Sequence, residues 1–165
     1  MPGFATTGTW RWGKSLKTAL QLACALALGC SVVLAHAQPS PVGLWKTIDD
    51  DGKTVKSLVR ITENGGTITG IVEKILDPEA PSDERCTNCK DERKGKPILG
   101  MTIIRNITHS SSDQAIWDGG EILDPKNGKT YRAQLKPVDA GRLLDVRGYI
   151  GIPWIGRTQT WIRIE

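Results

Sequence analysis

The chain is poor in the residues that most chemistry needs. It holds two histidines, His36 and His109, and four cysteines, and beyond residue 37 only His109, Cys86 and Cys89 remain. Four ligands make a tetrahedral zinc site, so a metal reading of these residues needs a carboxylate or a second protomer to complete it. A lone His109 has no partner to act with as a base, and Ser110, Ser111 and Ser112 lack the sharp strand-to-helix turn that exposes a nucleophilic serine. No segment after residue 37 shows the 3.6-residue period of an amphipathic helix, and there is no internal repeat or low-complexity tract. There is no excess charge either. Three of the 22 basic residues and none of the 18 acidic ones lie in residues 1–37, leaving 19 against 18, a formal +1. Such a balance gives no footing for nucleic acid or an anionic surface. Catalysis, a resident metal and a cofactor are therefore not expected.

What is present begins with an export signal. Arg11, Lys14 and Lys17 form a positive start, an apolar run follows from Ala19 to Leu34, and Ala35-His36-Ala37 has the small-x-small pattern read by signal peptidase. The three parts in that order specify a cleaved secretory signal. A transmembrane anchor is the alternative, weakened by the small residues and Gly29. A lipoprotein signal at Cys30 is another, weakened by Leu28 in place of a small residue and by the apolar run continuing past the cysteine. The reading is cleavage after Ala37, export to the periplasm, and a single domain over residues 38–165 with no membrane span.

That domain reads as β throughout. Turn signals recur at Asp49-Asp50-Asp51-Gly52, Asn64-Gly65-Gly66, Asp124-Pro125-Lys126-Asn127-Gly128 and Asp139-Ala140-Gly141. Between them side chains alternate. Val55, Ser57, Val59 and Ile61 share one face; so do Tyr131, Ala133 and Leu135; so do Leu144, Val146, Gly148 and Ile150. Period two with one apolar face describes half-buried strands, and short strands at this spacing describe a sandwich or barrel. Closure removes the exposed edges that a hairpin sheet otherwise presents. Roughly eight strands can be placed, the number that closes into a small barrel. Whether its own side chains fill that barrel or leave room for a ligand is not set by period. The irregular stretch Asp77–Pro97 carries both remaining cysteines.

Two features resemble the lipocalin superfamily. Gly43-Leu44-Trp45 opens the first strand, and Arg163 stands on the last. In lipocalins a basic residue on the last strand stacks on the first-strand indole and closes the base of the barrel, a cation–π contact. The resemblance implies that role for Trp45 and Arg163. More of the chain is similar to a family of exported bacterial proteins of unknown function with a lipocalin-like fold. It agrees in order at Gly43-Leu44-Trp45-Lys46-Thr47, Cys86-Thr87-Asn88-Cys89 and Pro97-Ile98-Leu99-Gly100-Met101, then along Trp117 to Pro125 and Gly128-Lys129-Thr130-Tyr131, and at Arg147 to Gly151 and Gly156 to Trp161. Membership implies an all-β, lipocalin-like barrel and export. It implies no activity; the lipocalin analogy adds a generic role in binding apolar molecules.

Cys86-Thr87-Asn88-Cys89 admits three readings: a local disulfide suited to an oxidising compartment, a redox pair, or half a zinc site. The disulfide comes first, because nothing supplies the helix N-terminus of a redox motif. The segment Gly148 to Gly156 is apolar, aromatic and rich in glycine where hairpin loops are polar. It is either a lip of the barrel mouth or a plug folded inward. Asp49, Asp50 and Asp51 are read as a solvated turn rather than a metal site. Glu73 and Glu121, though both in strands, have no spacing that favours glycoside hydrolysis over ordinary surface charge. The expectation is a periplasmic binding protein, with a small apolar or amphipathic ligand held near Trp117, Tyr131, Tyr149 and Trp154. The alternatives are a filled barrel acting through its loops on an envelope partner, and a small thiol-redox protein using Cys86 and Cys89.

Overall fold

The computed structural model describes Gly8, residues 39–81 and residues 83–165. The export signal read from residues 1–37 lies outside this range save for Gly8. Eight strands follow in order: β1 (Gly43–Ile48), β2 (Val55–Asn64), β3 (Thr67–Ile75), β4 (Thr102–His109), β5 (Trp117–Asp124), β6 (Lys129–Val138), β7 (Leu143–Tyr149) and β8 (Gly156–Arg163). Each pairs antiparallel with its neighbour in sequence, and β8 returns to β1, so the sheet is a closed barrel. This is the all-β architecture that the alternation specifies.

Tight turns explain most of the pairing. Asn64 meets Thr67 across the two-residue loop Gly65-Gly66, and both glycines adopt positive φ, 58° and 79°. Mirror-image turns of this kind match the twist of the strands they join. The Asp49–Gly52 turn is closed by the Gly52 amide on the Asp49 carbonyl at 2.9 Å, and Asp51 accepts from the amides of Lys53 and Thr54. Gly128 does two things at once: its φ is +68°, and a Cβ there would collide with the backbone of Asn88.

Because consecutive strands run up and down, the connections divide between two ends. The closed end holds the start of β1, the Asn64–Gly66 turn, the β4–β5 and β6–β7 links and the end of β8. Trp45, Ile61, Ile68, Ile107, Leu135 and Leu144, all with no measurable exposure, fill the closed half. The guanidinium of Arg163 lies 4.1 Å from the centre of the Trp45 ring. Its nitrogens donate to the carbonyls of Gly141, Val42 and Ser40 at 2.5, 2.7 and 2.5 Å. Burial lowers its pKa from the usual arginine value. The indole nitrogen of Trp45 donates to the Pro41 carbonyl at 2.7 Å. Gly43 is glycine for a local reason: its φ is +145°, and a Cβ would meet the Glu165 carbonyl and the Arg163 guanidinium.

One detail of the alternation is corrected. Ile150 does not continue the apolar face of β7. The strand ends at Tyr149, which is 9% exposed, and Ile150 is 68% exposed on the following loop. Strand period holds only where the ladder holds, and β7 stops pairing one residue earlier.

Candidate functional site

The open end of the barrel is hollow. A cavity of about 1090 Å³ enters between the β1–β2, β3–β4, β5–β6 and β7–β8 connections. Its inner wall includes Val72, Ile98, Ile103, Leu123, Val146 and Trp161, all nine-tenths or more buried. The barrel is thus packed in its lower half and open in its upper half. The physical reason lies in the side chains offered. The closed half points a tryptophan and five leucine or isoleucine side chains inward, whereas the lining of the mouth includes the small residues Gly148, Ser57 and Thr47.

Polar groups in the wall are satisfied by one another. Thr47 Oγ1 and Ser57 Oγ lie 2.9 Å apart. The indole nitrogen of Trp161 donates to Gln159 Oε1 at 3.3 Å, Gln159 Nε2 donates to Asp50 Oδ1 at 2.9 Å, and Asp50 also pairs with Arg157. A chain of contacts therefore runs from the buried wall to the rim. On the neighbouring side Lys56 Nζ lies 2.7 Å from Asp77 and 3.3 Å from Asp49. The bond to Asp77 holds the Lys56 ammonium pKa above its ordinary value, and the same bond pulls Asp77 below the usual carboxylate range. Asp49 is lowered too, first by the backbone amide of Asp50 and then by Lys56. The wall beneath these groups is apolar at Val72, Ile103, Val146 and Trp161, while the rim offers hydrogen-bonding partners to the polar end of a guest.

The long β3–β4 connection forms one side of the mouth and is strapped to the barrel. Cys86 and Cys89 are joined by a disulfide, and they are 0% and 1% exposed. Asn88 Nδ2 donates to the Lys126 carbonyl at 2.9 Å, which seats the disulfide loop on the β5–β6 turn. Arg93, 3% exposed, binds both Asp91 oxygens, the Thr102 carbonyl at 3.2 Å and the Thr130 hydroxyl at 3.3 Å. The Arg93 bonds pull Asp91 down to about 2. Sequence reasoning missed Arg93, because in a stretch of mixed charge nothing marks which cation is buried.

The four aromatic candidates do not form one site. Tyr131 and Tyr149 line the mouth, and Asn127 Nδ2 donates to the Tyr131 hydroxyl at 3.1 Å. Trp154 sits on the β7–β8 loop at 85% exposure and does not line the cavity; Ile150 and Ile155 beside it do. Trp117 is buried at the closed end, edge-on to His109 with ring centres 4.5 Å apart, and takes no part in the mouth. Of the two readings of the Gly148–Gly156 segment, the geometry gives the lip: Ile152 and Ile155 are 53% and 73% exposed, so this segment does not plug the barrel. Trp161 and Gln159 were missed. Gln159 stands midway along β8, and Trp161 lines the cavity although it pairs with Leu144 of the closed half, a height that strand period does not reveal.

Among the described residues, no helix is long and apolar enough to cross a membrane, and no group of three or more metal-binding side chains clusters. No curated protein matches the chain. Among solved structures it is similar to HP1028 of the human pathogen Helicobacter pylori, described as belonging to the lipocalin family. The identity is 17% and the TM-score 0.63, over 76% of this chain and 84% of that one. At that identity the likeness is one of fold. Residues 43–163, from the glycine before Trp45 to the arginine that stacks on it, match the family described as "Uncharacterized protein conserved in bacteria (DUF2147)", and the chain belongs to that family.

Proposed function

We propose that the protein is an exported, periplasmic carrier that holds one small apolar or amphipathic molecule in the mouth of its barrel, by binding and without catalysis. The observation that carries this reading is the cavity itself. Its volume of about 1090 Å³ stands at the upper end of ordinary ligand pockets, its deep wall is apolar, and its polar groups are gathered at the rim. An aliphatic or ring system would lie against Val72, Ile103, Val146 and Trp161, with its polar end among Lys56, Gln159 and Tyr131. Export rests on the tripartite start of the chain, and a disulfide suits an oxidising compartment.

The filled-barrel alternative is disfavoured by the open upper half. The thiol-redox alternative is disfavoured by access, since exchange requires a thiolate to reach a sulfur, and Cys86 and Cys89 are buried beneath their own loop.

Mass spectrometry of the protein purified from the periplasm, native and then after organic extraction, tests the proposal. A reproducible apolar compound in near-stoichiometric amount is expected. It should be lost from Ile75→Trp and Ile122→Trp, which narrow the mouth at partly buried wall positions. A clean apo mass, with no compound above that of a control protein, would overturn the carrier reading.

A further inference from the structure

The β7–β8 connection is unusual in what it shows to water. From Tyr149 to Gly156 no side chain carries charge. Ile150, Ile152, Trp154 and Ile155 are 68%, 53%, 85% and 73% exposed. Together they present on the order of 500 Å² of apolar surface, at the top of the range for the largest patch on a monomer. Such a loop normally collapses. This one is braced by the Arg147 side chain and by one backbone bond of its own. Arg147, on β7, donates through Nε to the Pro153 carbonyl at 2.7 Å and through Nη2 to the Trp154 carbonyl at 3.3 Å. The Ile155 amide bonds to the Ile152 carbonyl at 3.2 Å. The carbonyls of Ile152, Pro153 and Trp154 are thus paired within the hairpin while the apolar side chains remain exposed.

That combination discriminates between occupants. A stable protein partner buries roughly 800 Å² per side, more than this patch supplies, and a protein interface tolerates backbone groups that find partners across it. A lipid boundary offers none, which favours a tip whose carbonyls are already paired, as those of Ile152, Pro153 and Trp154 are. Indole at the tip and arginine at the base is also the arrangement favoured at the interface between headgroups and acyl chains. The nearest charges are already occupied: Arg157 pairs with Asp50, and Arg147 with the loop carbonyls. The patch is continuous with the cavity, because Ile150 and Ile155 line the mouth and remain exposed.

We infer that the β7–β8 loop is a docking element for a phospholipid surface, placing the mouth of the barrel against the headgroup layer by insertion of Trp154 and Ile152. Binding is driven by the apolar tip and so does not depend on lipid charge. The inference stands apart from the carrier reading, since a loop can dock whether or not the cavity is occupied.

The test is flotation of the protein with phosphatidylcholine vesicles, with and without a phosphatidylglycerol fraction, together with quenching of tryptophan fluorescence by brominated lipid. Flotation on both vesicles is expected. Ile152→Ser with Trp154→Ser, neither of which lines the cavity, is expected to weaken partition at least about tenfold with an unchanged melting temperature and unchanged compound retention. Trp154→Leu is expected to float and to lose most of the quenching. The inference is overturned by failure of the wild type to float, by flotation on anionic vesicles alone, or by a serine pair that floats as well as the wild type. It is equally overturned by a dimer in sedimentation that the serine pair abolishes, which would assign the patch to a second copy.

Discussion

Arg163 joins four carbonyls, those of Ser40, Val42, Gly141 and Glu165, and an indole at the base of the barrel, and each attachment has a cost when it is removed. Arg163→Ala strands the carbonyls of Ser40, Val42 and Gly141 and is expected to destabilise by about 2 kcal/mol. Trp45→Ala opens a void in the most tightly filled layer and is expected to cost about 4 kcal/mol. For a domain of this size each should lower the melting temperature by on the order of 10 °C. Arg163→Lys should recover only part of the loss, since a single ammonium cannot span carbonyls that a planar fork reaches. Thermal melts by circular dichroism check all three, and unchanged melting for both alanine variants would remove the closure role. At this scale the sequence was readable where a residue's type and its neighbour on the chain sufficed. Gly43 with Trp45 and the paired turn glycines are of that kind. Trp117 shows the limit: β5 begins at the closed end, so its first residue lies far from the mouth, and alternation tells a side chain's face but not its height.

Among the elements, the strands and the β3–β4 strap differ in what holds them. Strands carry a period, and period two with one apolar face marked β2, β6 and β7, while turn signals bounded others. The strap has none; its shape rests on Cys86–Cys89, on Arg93 and on the glycine that lets Asn88 approach the β5–β6 turn. No local pattern reveals such long-range attachments, which is why the region read only as an irregular loop. The disulfide closes a ring of few residues, so its loss should cost about 2 kcal/mol. Cys86→Ser with Cys89→Ser is expected to fold, with amide hydrogen exchange faster across residues 84–98 and little changed in β5 to β8. Acceleration spread evenly over the barrel would show that the strap and the wall open as one unit.

For the molecule as a whole, the carboxylates set the acid limit. Asp51, held by the Thr54 hydroxyl and by the amides of Thr54 and Lys53, and Asp91, held by Arg93, both fall from an ordinary 3.8 to about 2. A carboxyl whose pKa is lowered by folding contributes stability above its unfolded value and loses it as pH falls through the folded one. The melting temperature should therefore hold above about pH 5 and decline between roughly pH 4 and pH 2. Asp91→Asn should start lower and show a shallower decline. An acid limb of the same depth in that variant would place the sensitive groups elsewhere. Closure of the barrel has a different kind of consequence. Leu44 donates its amide to the Glu165 carbonyl at 3.1 Å, and β1 meets β8 at Trp45–Arg163 and Lys46–Ile162. The first and last strands thus leave the wall side by side, and the cut in the ring is arbitrary. Linking Glu165 to Pro39 through a short spacer and reopening the chain at Gly65-Gly66 would give a circular permutant with its new ends still beneath the barrel and its rim intact.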